Sequence, residues 1–264
     1  MRIFHLWSCA GVGSIIAKFM DRIYGTSSFV NITKKWDKHG LTVYGEVWEM
    51  GKVHFALKSL LKAREFDLIH VHYHDVFVPF LKLLYPNKPV VLHYHGSDIR
   101  GRWGERRRFW SKADAIIVST ADLLRGAPDN AQHIPNPVDT DLFFPTDSDV
   151  PPDKALYFEY GANEEAKELA ERFNLKLDIM ERNVPYLKMP ETLRGYRWYI
   201  DVKRVGGRLL CNPENIGSKT ALEALACGLK VIRYNGQVLT DLPPKHRPEN
   251  VVETVKAIYE KLLG

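Results

Sequence analysis

Strand-like and helix-like segments alternate along most of this chain, and that alternation restricts the fold more than any other feature of the sequence. The first half contains the strand-like stretches RIFHLW, FDLIHVHYH and KPVVLHYH, and stretches with helical apolar spacing such as SIIAKFMDRIY lie between them. Strands that alternate with helices pair into a parallel sheet with helices on both faces. We therefore predict an α/β protein in which ligands bind beyond the carboxyl ends of the strands.

A polar, proline-rich stretch, PTDSDVPPD at 145–153, interrupts this pattern, and the alternation then resumes. KALYFEY, LKLDIM, RWYIDVKR and LKVIRY are strand-like, and the chain closes with a helical pattern. We therefore predict two Rossmann-like domains, residues 1–148 and 149–264, that face a central cleft. A cleft between two such domains is the default site for a ligand.

The composition is that of a globular protein from a reducing compartment. Of 264 residues, 45% are apolar and 26% are charged, which is ordinary for a globular chain. Cys9, Cys211 and Cys227 are scattered, which argues against a disulfide framework. The opening MRIFHLW is too short and too polar for a signal peptide, and no run reaches the ~18 apolar residues of a membrane-spanning helix. We expect a cytoplasmic protein.

The net charge of +5 is concentrated in one stretch, RGRWGERRRFWSK at 100–112. Its six arginines and lysines, with Glu105 as the single acid, account for the whole net charge of the chain. A local basic patch attracts phosphate groups or an anionic membrane surface. We expect peripheral membrane contact at the inner face and no nucleic-acid partner. The alternative is an ordinary solvated helix face.

The loop GVGS follows the first predicted strand and opens a helix. Gly11 and Gly13 allow a sharp turn, and free N–H groups at a helix start can hold an anion. Position 16 is Ile16, so the third glycine of the dinucleotide fingerprint is missing and a nicotinamide cofactor is disfavoured. We expect Gly11, Gly13 and Ser14 to lie on the phosphate or acceptor side of the cleft.

Histidines cluster at the ends of two predicted strands. They are His70, His72, His74, His93 and His95. Imidazoles in such positions can bind zinc, as in a metal hydrolase, although only Asp75 and Asp98 supply nearby carboxylates. They can also be hydrogen-bonded at strand ends, or one can line a polar substrate site. We expect no metal, and we take His95 and Asp98 as the residues that carry the chemistry.

The stretch NPENIGSKTALEALACGLKVI at 212–232 runs from a polar loop through a short helix into a strand. Ser218 after Gly217 can cap that helix, and the helix start beside Lys219 can hold a phosphate. Two interpretations of Glu223 remain open. It binds a ligand, or it forms a capping box with Thr220 as the cap.

Five stretches, in this order, resemble family 4 retaining glycosyltransferases of the GT-B fold. They are DLIHVHYH, PVVLHYHGSD, ADAIIVST, HIPNPVDTDLFFP and ALEALACGLKVI, and the first four cover most of residues 65–145. The resemblance implies an acceptor-side domain and a shortened nucleotide-sugar-side domain. It also implies transfer of a sugar from a UDP- or GDP-sugar with retention of configuration, without a metal or other cofactor.

The resemblance also implies roles for particular residues. Glu223 would accept hydrogen bonds from the ribose, and the helix start would hold the diphosphate. His95 would contact the transferred sugar, with Asp98 orienting nearby groups. The basic stretch would receive an anionic or lipid-linked acceptor. The residues implied at the helix start are Gly217, Ser218, Lys219 and Thr220, and those implied at the acceptor are Arg102, Trp103 and Arg106.

The chain departs from the family pattern at two places. Asn215 stands where the family has its first glutamate, and the stretch YGANEEAKE lacks the family's arginine, which leaves Lys167 as its only base. Lys219, Arg182 or Arg204 would have to replace the missing charge. The alternatives are a non-catalytic sugar- or nucleotide-binding relic of the same fold and a nucleotide-sugar epimerase.

Overall fold

The structure of the protein, a computed structural model, describes residues 1–147, 149–211 and 218–264. The chain forms two compact units, each with its own sheet. The first consists of Met1–Pro137 together with Pro248–Gly264, and the second of Val138–Arg247.

A seven-stranded, wholly parallel sheet forms the first unit. Its strands are β1 (Arg2–Leu6), β2 (Ser27–Thr33), β3 (Glu46–Trp48), β4 (Leu68–His72), β5 (Val90–Tyr94), β6 (Ala115–Val118) and β7 (Ala131–His133). They pair in the order β3-β2-β1-β4-β5-β6-β7, the doubly wound arrangement in which the chain returns to the middle of the sheet and continues outward. Every residue of β4 and β5 is buried, as expected for central strands covered on both faces.

Four helices of the first unit follow its strands. They are α1 (Val12–Tyr24), α2 (Lys52–Lys62), α3 (Phe77–Leu84) and α4 (Trp103–Trp110). The alternation of side chains along the strands divides the core into two layers. Phe4, Val71 and Leu92 pack in the layer that contains Phe55 of α2, and Ile3 faces the opposite layer with α1.

The second unit contains a five-stranded sheet and a short hairpin. Its strands are β8 (Lys154–Phe158), β9 (Lys176–Met180), β10 (Trp198–Asp201), β11 (Arg204–Val205), β12 (Arg208–Leu209), β13 (Lys230–Arg233) and β14 (Val238–Leu239). The sheet order is β14-β13-β10-β8-β9, with β14 the only antiparallel member, and β11 pairs with β12. Its helices are α5 (Asn163–Arg172), α6 (Met189–Arg194) and α7 (Lys219–Ala226).

The last helix, α8 (Pro248–Leu263), belongs to the first unit. The domain limits that we predicted, 1–148 and 149–264, assign it to the second. In the structure its apolar side packs against α1, where Val252 and Tyr259 share one buried cluster with Ile16 and Phe19. A linker pattern marks where the chain leaves one sheet, but it cannot show that a later helix returns.

The prediction of an α/β chain with two Rossmann-like domains is confirmed, because both sheets are mainly parallel and are joined through helices. None of the described helices combines the length and the apolar character that crossing a membrane requires.

Gly13 offers a test of the packing between α1 and the sheet. A Cβ at Gly13 would lie 3.1 Å from Nε2 of the buried His72, whereas a Cβ at Gly104 of α4 would meet nothing within 4 Å. We expect Gly13→Ala to lower the free energy of unfolding by roughly 1–3 kcal/mol through overpacking. The helical control Gly104→Ala should be neutral or raise it by up to about 1 kcal/mol. Urea denaturation measures both, and equal effects would contradict the close approach.

Candidate functional site

A single layer of five histidines lies against the carboxyl half of the first sheet. The rings are those of His5, His70, His72, His93 and His95. Strand register brings them together, because His5 pairs with His70 across β1 and β4, and His72 pairs with His93 across β4 and β5. Ring centroids are 4.1 Å apart for His70 and His72 and 4.3 Å apart for His93 and His95.

The membership of this layer differs from the sequence-based expectation at two positions. Tyr73 has a left-handed backbone, with φ of 66°, so the chain turns directly after β4. His74 is thereby directed away from the layer and contacts Trp7, with ring centroids 4.1 Å apart. His5 takes its place. Its position in the buried first strand, on the face of the alternating histidines, is the signal that could have identified it.

Hydrogen bonds join three of the rings in a chain. Nδ1 of His5 lies 3.2 Å from Nε2 of His72, and Nδ1 of His72 lies 3.2 Å from Nε2 of His95. The fourth ring, His70, pairs through Nδ1 with the hydroxyl of Tyr259 on α8.

Burial keeps these imidazoles neutral. Four of the five side chains are completely buried, and His95 is half-buried. Burial lowers the pKa of His5 to about 3, and it lowers the pKa of His95 to about 3 against the opposing influence of the Asn136 side chain. The pKa values of His70, His72 and His93 also lie well below 6.5 because of burial, and neighbouring imidazoles lower them further.

Several nitrogens of this layer have no hydrogen-bond partner among the described residues. They are Nε2 of His5, Nε2 of His70, both ring nitrogens of His93 and Nδ1 of His95. An unsatisfied buried polar group costs about 1–3 kcal/mol, and native proteins contain few of them. The layer is therefore polar, buried and incompletely satisfied by the described residues.

Asp98 holds the backbone that follows β5 rather than a ring nitrogen. Its carboxylate accepts hydrogen bonds from the backbone N–H of His95 at 2.9 Å and of Gly96 at 2.6 Å. Burial raises the pKa of Asp98, and these backbone donors oppose the shift. Gly96 has φ of 151°, a conformation that side chains rarely adopt. Asp98 thus fixes the turn that positions His95.

The GVGS loop serves packing and local hydrogen bonds in the structure. Gly11 caps α1 with φ of 75°, and a Cβ there would lie 2.6 Å from the carbonyl oxygen of Leu41. The Ser14 hydroxyl accepts a hydrogen bond from the Tyr44 N–H at 2.7 Å, and the Ser14 backbone N–H donates to the Ser8 hydroxyl. The N–H of Ser14 is therefore already bonded within the unit.

The basic stretch 100–112 includes residues of different character. Trp103 is buried and donates its indole N–H to the Leu123 carbonyl. The Arg106 guanidinium binds the fully buried carboxylate of Asp75 through two nitrogens. Arg102 pairs with Glu105, and Arg100 pairs with Asp122. Trp103 and Arg106 therefore support the fold. The exposed cations of this stretch are Arg100 and Arg102, which are in these ion pairs, and Arg107, Arg108 and Lys112.

In the second unit, the predicted cap of α7 is confirmed. The Ser218 hydroxyl accepts the Ala221 N–H at 3.2 Å, which makes Ser218 the cap and excludes the capping box centred on Thr220. The Ser218 N–H donates to the Asp201 carboxylate at 3.0 Å. A carboxylate of the chain itself therefore occupies part of the helix start where we expected a phosphate. Asn215 and Gly217, also expected there, lie outside the described residues.

Glu223 lies one turn into α7 and is buried, with 3% exposure. Its Oε1 lies 3.4 Å from the Lys219 ammonium, and no described residue makes a hydrogen bond to it. Burial raises the pKa of Glu223, while the nearby Lys219 and Tyr186 side chains oppose the shift. The ammonium of Lys219 also lies 4.6 Å from the centre of the Tyr186 ring.

Further cations lie near the carboxyl ends of β8, β9 and β10. The Tyr160 ring has the Arg182 guanidinium at 4.0 Å and the Lys203 ammonium at 5.3 Å from its centre. Its hydroxyl lies 3.5 Å from that of Thr220. Arg204 instead pairs with Glu165, and Lys167 pairs with Glu164. Sequence analysis missed Tyr160 and Lys203, although both directly follow strand patterns.

Comparison with known proteins agrees with this fold. Residues 38–142, less than half of the chain, match the sequence model of glycosyltransferase family 4. A search of curated protein sequences gave no match. Three solved structures are similar over nearly the whole chain.

The UDP-GlcNAc 2-epimerase from Neisseria meningitidis, bound to UDP-GlcNAc, has a TM-score of 0.53 and 14% identity and covers 100% of this chain and 94% of its own. A second UDP-N-acetylglucosamine 2-epimerase has a TM-score of 0.52 and 12% identity, and the alignment covers 100% of this chain and 90% of that epimerase. The sucrose-phosphate synthase from Thermosynechococcus elongatus has a TM-score of 0.50 and 13% identity, and the alignment covers 99% of this chain and 90% of the synthase. At such identities these structures establish the GT-B type of fold.

The buried histidines make stability sensitive to mild acid. A neutral buried ring binds no proton in the native state, whereas the unfolded ring binds one below pH 6.5, so stability present above that pH is lost as the pH falls. Between about pH 7.5 and about pH 5.5, each such ring should lower the free energy of unfolding by roughly 1.4 kcal/mol.

Urea denaturation at these two pH values, with EDTA present, measures this dependence. His5→Gln should make the decrease in the free energy of unfolding between the two pH values smaller by the contribution of one ring, roughly 1.4 kcal/mol. His39→Gln, at an exposed histidine outside the layer, should leave it unchanged. The same drop in wild type and in His5→Gln would show that the buried ring does not control acid sensitivity.

Proposed function

We propose that this protein is a glycosyltransferase that moves a sugar from a nucleotide sugar to an acceptor with retention of configuration. The observation that carries the proposal is the buried carboxylate of Glu223 near the start of α7, whose Oε1 has no hydrogen-bond partner among the residues that the structure describes. A ribose supplies two hydroxyl donors that suit such an acceptor. The family match at 38–142 and the GT-B type of fold support the same conclusion.

The donor diphosphate, in this proposal, binds at the carboxyl ends of the strands of the second unit. Lys219 supplies one charge, and Arg182 and Lys203, both close to the Tyr160 ring, replace the arginine that the family has and this chain lacks. Charge-assisted hydrogen bonds contribute about 1.5–3 kcal/mol each, so two cations can offset that loss. Thr220 is within reach as a further hydroxyl partner.

The chemistry follows from retaining transfer. Positive charge develops on the sugar in an oxocarbenium-like transition state, and negative charge grows on the leaving phosphate. The cations near α7 stabilise that phosphate, and the protein otherwise orients the two substrates. His95 contacts the transferred sugar as a neutral imidazole, held by the turn that Asp98 fixes. No step requires a cofactor.

The acceptor is proposed to be anionic or lipid-linked, reached at a membrane surface through the first unit. Helix α3 packs against both α2 and α4. Large apolar side chains on α2 and α3 point to solvent, with exposures of 72% for Val53, 65% for Leu61 and 78% for Leu83. Arg107 and Arg108 of α4, the helix that packs against α3, are also exposed. Such a combination suits the headgroups and acyl boundary of an anionic bilayer.

The nucleotide site can be tested at Glu223. Glu223→Gln keeps the shape of the side chain but removes the charge that accepts ribose hydroxyls, so we expect binding of UDP, GDP and their sugars to weaken at least about tenfold. Thermal shift and calorimetric titration measure the effect. Because Ser218 caps the helix, the melting temperature of the unliganded variant should change little.

Glu168→Gln, at an exposed glutamate of α5 in the same unit, is the matched control and should bind like wild type. The proposal fails if no nucleotide or nucleotide sugar raises the melting temperature and none is consumed. Product analysis in the same assay separates the alternatives. A sugar epimerised at C2 indicates an epimerase, and binding without turnover with any acceptor indicates a non-catalytic relic.

Membrane contact is tested by cosedimentation with vesicles. We expect binding to mixtures of phosphatidylcholine and phosphatidylglycerol and little binding to phosphatidylcholine alone. The double variant Arg107→Gln, Arg108→Gln should bind the mixed vesicles roughly thirtyfold more weakly, because each cation contributes about 1 kcal/mol to membrane binding. The double variant Leu61→Ser, Leu83→Ser should also bind these vesicles more weakly.

The control for the apolar changes is Leu187→Ser, which alters an equally exposed leucine of the second unit. Equal binding by this control and by the double leucine variant would move the contact away from α2 and α3.

A further inference from the structure

Two triads of imidazoles within the histidine layer have the arrangement of a metal site. In each triad, one nitrogen from every ring lies within 4.8 Å of the other two. The inner triad is His5, His70 and His72, and the outer triad is His72, His93 and His95. Three nitrogens bound to one tetrahedral zinc ion at 2.0–2.1 Å would be about 3.4 Å apart, so small ring rotations suffice.

The unsatisfied nitrogens concentrate in the same place. His93 is completely buried, and neither of its ring nitrogens has a hydrogen-bond partner among the described residues. A buried imidazole that lacks both partners can gain one by binding a ligand. Neutral imidazole is a good ligand for zinc and similar transition metals, and burial keeps these rings neutral.

We propose that His72, His93 and His95 bind one transition-metal ion of the zinc type. The outer triad is preferred over the inner one because His95 is only half-buried, which gives an ion a route to the site. All three rings of the inner triad are completely buried. Three histidines leave a fourth coordination position for water or for an oxygen of a bound molecule.

The surroundings of the outer triad support two of its three histidines. When His72 coordinates through Nδ1, its Nε2–H can donate to Nδ1 of His5, which lies 3.2 Å away. The backbone of His95 is already fixed by the Asp98 carboxylate. This inference differs from the expectation of no metal, which rested on the scarcity of matched carboxylates. Imidazoles alone satisfy zinc.

Metal content of the intact protein tests this inference independently of any transferase activity. The chain is purified without metal-affinity chromatography, stripped with chelator, reloaded with zinc and desalted, and the metal is then quantified by mass spectrometry. We expect about one zinc per chain and a melting temperature that falls on chelation and recovers with zinc. Failure to retain zinc, with no change in melting temperature, would overturn the proposal.

Substitution of one ligand identifies the site. His93→Gln should weaken zinc binding by more than about 100-fold in competition with a chromophoric chelator, because loss of even a supporting residue costs 10–100-fold. His54→Gln, at an exposed histidine on α2, should bind zinc like wild type. Equal zinc affinity in both variants would assign the metal to a different place and refute the outer triad.

Cobalt provides a measurement on wild-type protein if His93→Gln fails to fold. Co²⁺ bound by three imidazoles and one further ligand gives the intense visible bands of tetrahedral coordination. Addition of zinc should remove those bands in proportion to the zinc bound. A weak octahedral spectrum, like that of the hydrated ion, would contradict a histidine site.

Discussion

The in-register pairing of β1, β4 and β5 is the constraint on which the first unit depends. It brings His5 beside His70 and His72 beside His93, and it closes both faces of the central strands to water. Five imidazoles then have to be neutral, and each nitrogen needs a partner inside the unit. Gly13 of α1 and Tyr259 of α8 border the same layer, so the helices on this face are fitted to it.

Both units place their polar groups at the carboxyl ends of parallel strands, and they do so by different means. In the first unit, rings stack in a buried layer and a carboxylate, Asp98, fixes the turn beyond β5. In the second, charged side chains gather around one aromatic ring, Tyr160, and around the start of α7. The first arrangement buries neutral imidazoles, and the second offers positive charge to an anion. This division suits a transferase with a nucleotide on the second unit.

Some of the charged residues that stand out in the sequence make contacts within the fold and are not available to a ligand. Arg106 and Trp103, which a linear reading assigns to an acceptor, stabilise α4 through Asp75 and the core. The helix start at Ser218 contacts the carboxylate of Asp201, so an incoming phosphate would meet a negative charge there as well as Lys219. Arg107 and Arg108 face solvent, yet nothing in the sequence distinguishes them from their half-buried neighbour Arg106.

The sequence by itself determined the α/β class, the two mainly parallel sheets, the cap at Ser218 and the shared face of the alternating histidines on β4 and β5. These follow from periodicity and local hydrogen bonding, which act over a few residues. Only the tertiary structure decided that α8 returns to the first unit, that His5 replaces His74 in the layer, and that Arg106 binds Asp75. Each depends on contacts between residues far apart in the chain, 67 positions for His5 and His72, and periodicity carries no information about such pairs.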